Sequence, residues 1–120
     1  MVLKVKRVYE AAAAADGMRI LVDRLWPRGI VKQKARVDLW LKAIAPSNAL
    51  RKRFHARPEK WDAFLEAYAE ELQADEAAEA AKELRRHIRK GTVTLLYAAR
   101  DQEHNNAVAL KSWLAQRKRP

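Results

Sequence analysis

The chain has 120 residues, 49% of them hydrophobic, and a formal net charge of +10. That length fits one domain, residues 1–120, and the charged residues are spread among apolar ones rather than segregated, which argues against global disorder. The chain has no Cys, which excludes disulfides, thiolate metal sites and thiol nucleophiles and accords with a reducing cytoplasm.

The N-terminal residues 1–10 lack the apolar core of ~7–15 residues that a secretory signal needs. The longest low-polarity run, residues 11–15, is far shorter than the ~18 residues that span a bilayer. The expectation is a soluble, cytoplasmic protein with no membrane partner. Residues 3–9 alternate, with Leu3, Val5 and Val8 against Lys4, Lys6 and Arg7, as in a short strand. Five alanines ended by Asp16-Gly17 read as a turn-bounded connection. Residues 18–23 form a second strand, with the apolar run Ile20-Leu21-Val22 of a buried position. It leads into Arg24-Leu25-Trp26-Pro27-Arg28-Gly29, where Pro and Gly stop regular structure.

Residues 37–44 are too short to assign, although Leu41 and Ile44 suit a helical face. Ser47 is a candidate N-cap for a helix through about Phe54, and Pro58 fits the first turn of the next. Trp61, Phe64, Leu65, Tyr68 and Leu72 recur at helical spacing and read as core rather than as a cofactor box. A further helix carries Ala77, Ala80, Ala81, Leu84 and Ile88 and is closed by Gly91. Residues 92–98 are β-branched and apolar, a third and buried strand. It turns through Ala99-Arg100-Asp101 into a helix carrying Ala107, Leu110, Trp113 and Leu114. This order predicts a single α/β domain with a short, mostly parallel sheet flanked by helices.

The chemistry-bearing residues gather at two strand ends. Asp23, Arg24, Trp26 and Arg28 surround a rigid Pro turn, and Tyr97, Arg100, Asp101, His104, Asn105 and Asn106 stand where a buried strand meets a helix. Ligands of open parallel sheets sit at the carboxyl ends of strands, helix starts favour anions, and arginine adds bidentate recognition of phosphate or carboxylate. Each part also has a purely structural reading. Asp23 and Arg28 can pair with each other, Asp101 can cap the helix, Gln102-Glu103 suits the positive end of its dipole, and His104 can be structural. Asn105 and Asn106 can orient a substrate or tie loops together, and being consecutive they point in different directions. His55, His87 and His104 have no paired ligand spacing, so neither a metal nor another cofactor is expected. Ser47 and Ser112 lie at no nucleophile elbow.

The stretches Arg19-Ile-Leu-Val-Asp-Arg-Leu-Trp-Pro-Arg-Gly29, Asp38-Leu-Trp-Leu-Lys42, Ala45-Pro-Ser47 and Val93-Thr-Leu-Leu-Tyr-Ala-Ala-Arg-Asp-Gln-Glu-His-Asn-Asn106 resemble the YeaO-like branch of domain-of-unknown-function family 488. The spaced Arg51, Phe54, Trp61, Phe64, Tyr68 and Leu72 agree with it. The resemblance implies a small α/β sandwich with the two motif loops together at one end of the sheet, and it transfers no catalytic residue. It also implies Cys in other branches at the position of Tyr97, and Cys-His at Asn105-Asn106, a pattern resembling enzymes whose thiolate faces a helix N-terminus.

Three functional readings follow. The first is a cytoplasmic binding protein or regulator that holds a small anionic ligand, phosphorylated or nucleotide-like. Arg24, Arg28 and Arg100 would contact the anion, Asp23 and Asp101 would orient them, and Trp26 or Tyr97 would cover an apolar part. The second is a hydrolase or transferase acting on such a ligand, with Asp101 or His104 as acid or base and Tyr97 as donor or weak nucleophile. The third is a nucleic-acid binder using the basic clusters Arg51-Lys52-Arg53, Arg85-Arg86 with Arg89-Lys90, and Arg117-Lys118-Arg119. Only folding decides whether those clusters merge. The sequence sets no oligomeric state.

Overall fold

The computed structural model describes residues 2–117, with the side chain of residue 117 left out, so the basic tail at residues 117–119 lies outside the described side chains. Four strands form one sheet in the order β1-β4-β2-β3: β1 (Leu3–Arg7), β2 (Met18–Leu21), β3 (Leu39–Trp40) and β4 (Val93–Tyr97). Every pairing is parallel. Leu3 stands opposite Val93, Met18 opposite Val93 on the other side, and Ile20 opposite Leu39. All of β4 is buried, as a central parallel strand with two covered faces must be.

The two faces are covered differently. Ile20, Val22, Val93, Leu95 and Tyr97 share a core with α2 (Asn48–Ala56), α3 (Trp61–Glu71), α4 (Asp75–Lys90) and α5 (Asn106–Arg117). The opposite face, with Leu21 and Leu96, is covered by the segment between β2 and β3, including Trp26, Ile30 and α1 (Lys32–Ala35). That second layer contains a buried ion cluster. Arg19, 4% exposed, donates to Asp16 Oδ2 at 2.6 Å and to the carbonyls of Ala35 and Arg36. Lys6 reaches the same carboxylate, and Ala13 N–H donates to it.

Local signals explain some of the element ends. The Ser47 hydroxyl accepts from Leu50 N–H and donates to Glu71, so it caps α2 as its residue type predicts. Other boundaries differ from the sequence expectations. Pro58 lies before α3 rather than in its first turn, in a turn closed by Lys60 N–H to Arg57 C=O. The unassigned residues 37–44 hold β3 and a short 3-10 turn, Lys42–Ile44. Helix α5 starts at Asn106, so His104 lies in the preceding loop and not in the helix's first turn. Among the described residues, no helix is long and apolar enough to cross a membrane.

Candidate functional site

The carboxyl ends of β2 and β4 lie side by side, because Val22 N–H extends their pairing by donating to Leu96 C=O. Asp23, the next residue, joins several elements there. Its Oδ2 accepts from Ala98 N–H at 3.0 Å and its Oδ1 from Asn106 Nδ2 at 2.9 Å. Asn106 also donates to Val22 C=O, and Trp40 Nε1 donates to Asp23 C=O. Asp23 therefore fixes the start of α5 to the end of β2, and its carboxylate makes no pair with Arg28. Arg24 turns towards the segment preceding α2, where it donates to the carbonyls of Pro46 and Ala45.

Beyond β4, Arg7 holds the chain by donating to the carbonyls of Ala98 and Ala99. Asp101 Oδ1 then accepts from the N–H groups of both Glu103 and His104, closing a tight turn ahead of the helix. The cap of α5 is Asn105 instead, whose Oδ1 accepts from Val108 N–H while its Nδ2 donates to Asp101 C=O. The two asparagines do point apart, one towards its own loop and helix and one towards β2. His104 Nδ1 stands 3.2 Å from Asp101 Oδ2, and its ring meets Trp61 edge-on at 5.1 Å. The two backbone N–H bonds to Asp101, with His104 adding to them, hold that carboxyl below its ordinary value.

These loops, with α2 and α3, enclose a cleft of about 600 Å³. From the two motifs it takes Asp23, Arg24, Arg100, Asp101, His104, Asn105 and Asn106. Trp26, Arg28 and Tyr97 are not among its lining residues. Trp26 packs edge-on against Trp40 and donates to Ile30 C=O on the opposite face of the sheet. The exposed Arg28 lies in the same excursion, and its carbonyl accepts from the Tyr9 hydroxyl. Tyr97 is buried in the helix-side core, and burial pushes its phenol above its ordinary value.

Helix α2 supplies what the motifs did not reveal: Arg51, Phe54 and His55 line the opposite wall with Pro46, Pro58 and Phe64. Their spacing of three and four residues puts Arg51, Phe54 and His55 on one helix face, a signal present in the sequence but overshadowed by the basic run around it. Arg51 Nε is buried and has no hydrogen-bond partner among the described residues. Three guanidinium groups thus face two carboxylates and two imidazoles, with Asn105, Asn106 and apolar side chains completing the wall. No group of three or more His, Asp or Glu among the described residues is arranged to hold a metal ion.

Burial pushes the Asp23 carboxyl above its ordinary value, against the opposing pull of Asn106, Ala98 N–H and the Arg51 charge. A raised folded-state value means that the folded protein binds the proton more tightly than the unfolded chain. Asp23 ionisation therefore lowers stability as pH rises from the ordinary carboxylate value, ~3.9, through the raised one. Carbon-detected NMR titration should find the Asp23 midpoint above ~3.9, and Arg51→Ala should move it higher still. A midpoint unchanged by that substitution would mean that the Arg51 charge does not act on Asp23.

The fold and cleft define a small, all-parallel α/β domain with a polar cleft at the carboxyl ends of its two central strands. Residues 2–119 match the family described as the inactive DUF488-N3 subclade. The chain is 45% identical over 114 residues to the uncharacterized protein YeaO of Escherichia coli, covering 95% of this chain and 97% of that one. It is 44% identical over 112 residues to the uncharacterized protein Rv3073c of Mycobacterium tuberculosis, covering 93% and 92%. The chain belongs to the YeaO-like branch of the DUF488 family. No solved structure matches it.

Proposed function

We propose that this is a cytoplasmic binding protein or regulator whose cleft holds a small anionic ligand, phosphorylated or nucleotide-like, without turning it over. The observation that carries this reading is Arg51: a buried guanidinium N–H in the cleft wall with no acceptor among the described residues. A buried donor left unpaired is costly, and an anionic oxygen satisfies it with a charge-assisted hydrogen bond. Arg100, exposed and lining the same cleft, supplies a second cation. Arg24 adds its field, although two of its donors are committed to backbone carbonyls. Phe54, Phe64, Pro46 and Pro58 suit the flat or apolar body of such a ligand. Arg51 thus takes the role that the sequence suggested for Arg28, and Phe54 the role suggested for Trp26 or Tyr97.

The description of the subclade as inactive favours binding over turnover. One observation favours the enzymatic alternative, a hydrolase or transferase: the Asp101–His104 pair at the cleft has the form of an oriented general base. Turnover of a phosphorylated ligand, abolished by His104→Ala with folding intact, would establish it.

The binding reading is tested by thermal shift with inorganic phosphate, sulfate, sugar phosphates and nucleoside monophosphates. At a hundredfold excess over Kd, a ligand of the native state adds about 2.7 kcal/mol of stability. One of these anions should raise Tm by several degrees; Arg51→Ala should abolish the rise and Arg28→Ala should leave it intact. No rise with any of them, or a rise that survives Arg51→Ala, would sink the reading.

A further inference from the structure

Helix α2 separates the cleft from a second concavity of about 400 Å³ between α2 and α3, and Phe54 and Phe64 line both. The rim of the second is cationic, formed by the exposed Arg53, Arg57 and Lys60. The nearby Glu59 carboxylate pairs with Arg57 at 2.8 Å. Asp23 and Asp101 line the cleft, and a larger group of carboxylates lies apart from both concavities: Asp75, Glu76, Glu79 and Glu83 of α4 line a separate groove, to which Arg86 belongs. The basic run at residues 51–53 therefore merges with other cations, whereas Arg86 sits among acids. Phe54 and Phe64, which line both concavities, form a continuous ring cluster with Trp61, with centroids 4.7–5.6 Å apart, and Phe54 and Trp61 are partly exposed.

We infer that this face binds single-stranded nucleic acid: the strand crosses α2 with one nucleotide in the cleft and the adjoining phosphates on Arg53, Arg57 and Lys60. The inference rests on the cleft reading for one of its two grooves and names the ligand class. Single-strand sites combine a cationic groove that tracks the backbone with aromatic faces that accept unpaired bases. Both elements occur here side by side. A duplex keeps its bases stacked inside and would offer the apolar walls nothing to bury.

The test measures binding of a fluorescent ten-nucleotide oligothymidylate by anisotropy over a range of salt concentrations, beside the thermal response to thymidine monophosphate. Wild type should bind the oligonucleotide at least ~10-fold more tightly than the monophosphate, since several phosphates contribute. Every cation that ceases to neutralise a phosphate should reduce the salt slope by about 0.7, so Arg53→Ala/Arg57→Ala/Lys60→Ala should lower it by roughly 2. The monophosphate response should survive in that variant and vanish in Arg51→Ala. Equal affinity for monophosphate and oligonucleotide, an unchanged slope in the triple variant, or equal competition by a duplex of the same length would overturn the inference. A reduced slope in the triple variant with no monophosphate response in wild type would sink the cleft reading and leave the strand surface standing.

Discussion

Replacement of Asp16 by Ala is expected to remove about 3–5 kcal/mol of stability, the usual cost of breaking a buried ion pair from one side. Asp16 and Arg19 are 5% and 4% exposed, and their 2.6 Å contact is the only carboxylate bond of that guanidinium among the described residues. Without it a buried cation keeps only the carbonyls of Ala35 and Arg36. Lys6 and Ala13 N–H lose the same acceptor. Small domains have ~5–15 kcal/mol in total, so the variant should melt roughly 10–20 °C lower. The double substitution Asp16→Ala/Arg19→Met should recover part of that loss, because replacing both partners by apolar groups avoids the stranded charge. The pH dependence has a definite sign. Burial pushes the Asp16 carboxyl up, but Ala13 N–H, Lys6 and Arg19 together outweigh it and hold the group below its ordinary value. Its stabilisation is complete above ~3.9 and is lost as pH falls through the lowered folded value. The gap between wild type and Asp16→Ala, measured by urea denaturation, should therefore narrow in acid. A gap that stays constant with pH would mean that the carboxylate charge is not what stabilises this layer.

Much of the sheet was legible because β2 and β4 carry short buried apolar pairs, Ile20-Leu21 and Leu95-Leu96, at their centre or end. Strand β3 was not. It has two residues, too few to show a period, and is defined only by its pairing with Ile20 and Leu21. That omission explains part of the site. Trp26 leaves the cleft because it packs on Trp40, and Trp40 can serve as its platform only once β3 lies beside β2. Arg28, two residues on, does not line the cleft either, and its carbonyl accepts from the Tyr9 hydroxyl. The start of α5 was misplaced for a different reason. Gln102-Glu103 suits a helix dipole, but the Asp101 side chain takes the Glu103 and His104 N–H groups for a turn of its own. Short polar side chains compete with helices in this way.

The motif residues that do converge are Asp23 and Arg24, just after β2, and Arg100, Asp101, His104, Asn105 and Asn106, in the loop and helix start after β4. The opposite wall depends on where α2 crosses, which no local pattern specifies. Arg51 was visible as one member of a basic run and as one of the spaced residues that carry the family resemblance, and neither pattern marked it as a cleft residue. Its neighbours Lys52 and Arg53 are exposed, whereas Arg51 itself is half-buried against the cleft.

Gly17→Ala is expected to cost about 3 kcal/mol or more, combining a forbidden backbone conformation with a steric clash. Gly17 has φ 65° and ψ −137°, a region essentially reserved for glycine. A Cβ there would lie 2.3 Å from the Thr92 carbonyl oxygen and 2.8 Å from its carbon, both backbone atoms without freedom to withdraw. The same Thr92 oxygen accepts from Met18 N–H, the bond that opens the pairing of β2 with β4. Relief of the clash must therefore loosen the central strand pair, and with it the Asp16 carbonyl that accepts from Thr94. The other two glycines separate the causes. Gly29 has φ 76° with open space around it, so Gly29→Ala should cost only the ~1–2 kcal/mol of a left-handed residue. Gly91 has φ 165°, extended backbone, and nothing near its missing Cβ, so Gly91→Ala should be close to neutral. Urea denaturation of the three variants should rank them Gly17 far above Gly29, and Gly29 above Gly91. Equal losses at Gly17 and Gly29 would mean that backbone conformation alone matters and that the close approach to Thr92 is not what sets the strand register. Because β2 runs from this contact directly to Asp23, a register disturbed at Gly17 should also shift the Asp23 and Asn106 NMR resonances at the far end, and Gly29→Ala should leave them in place.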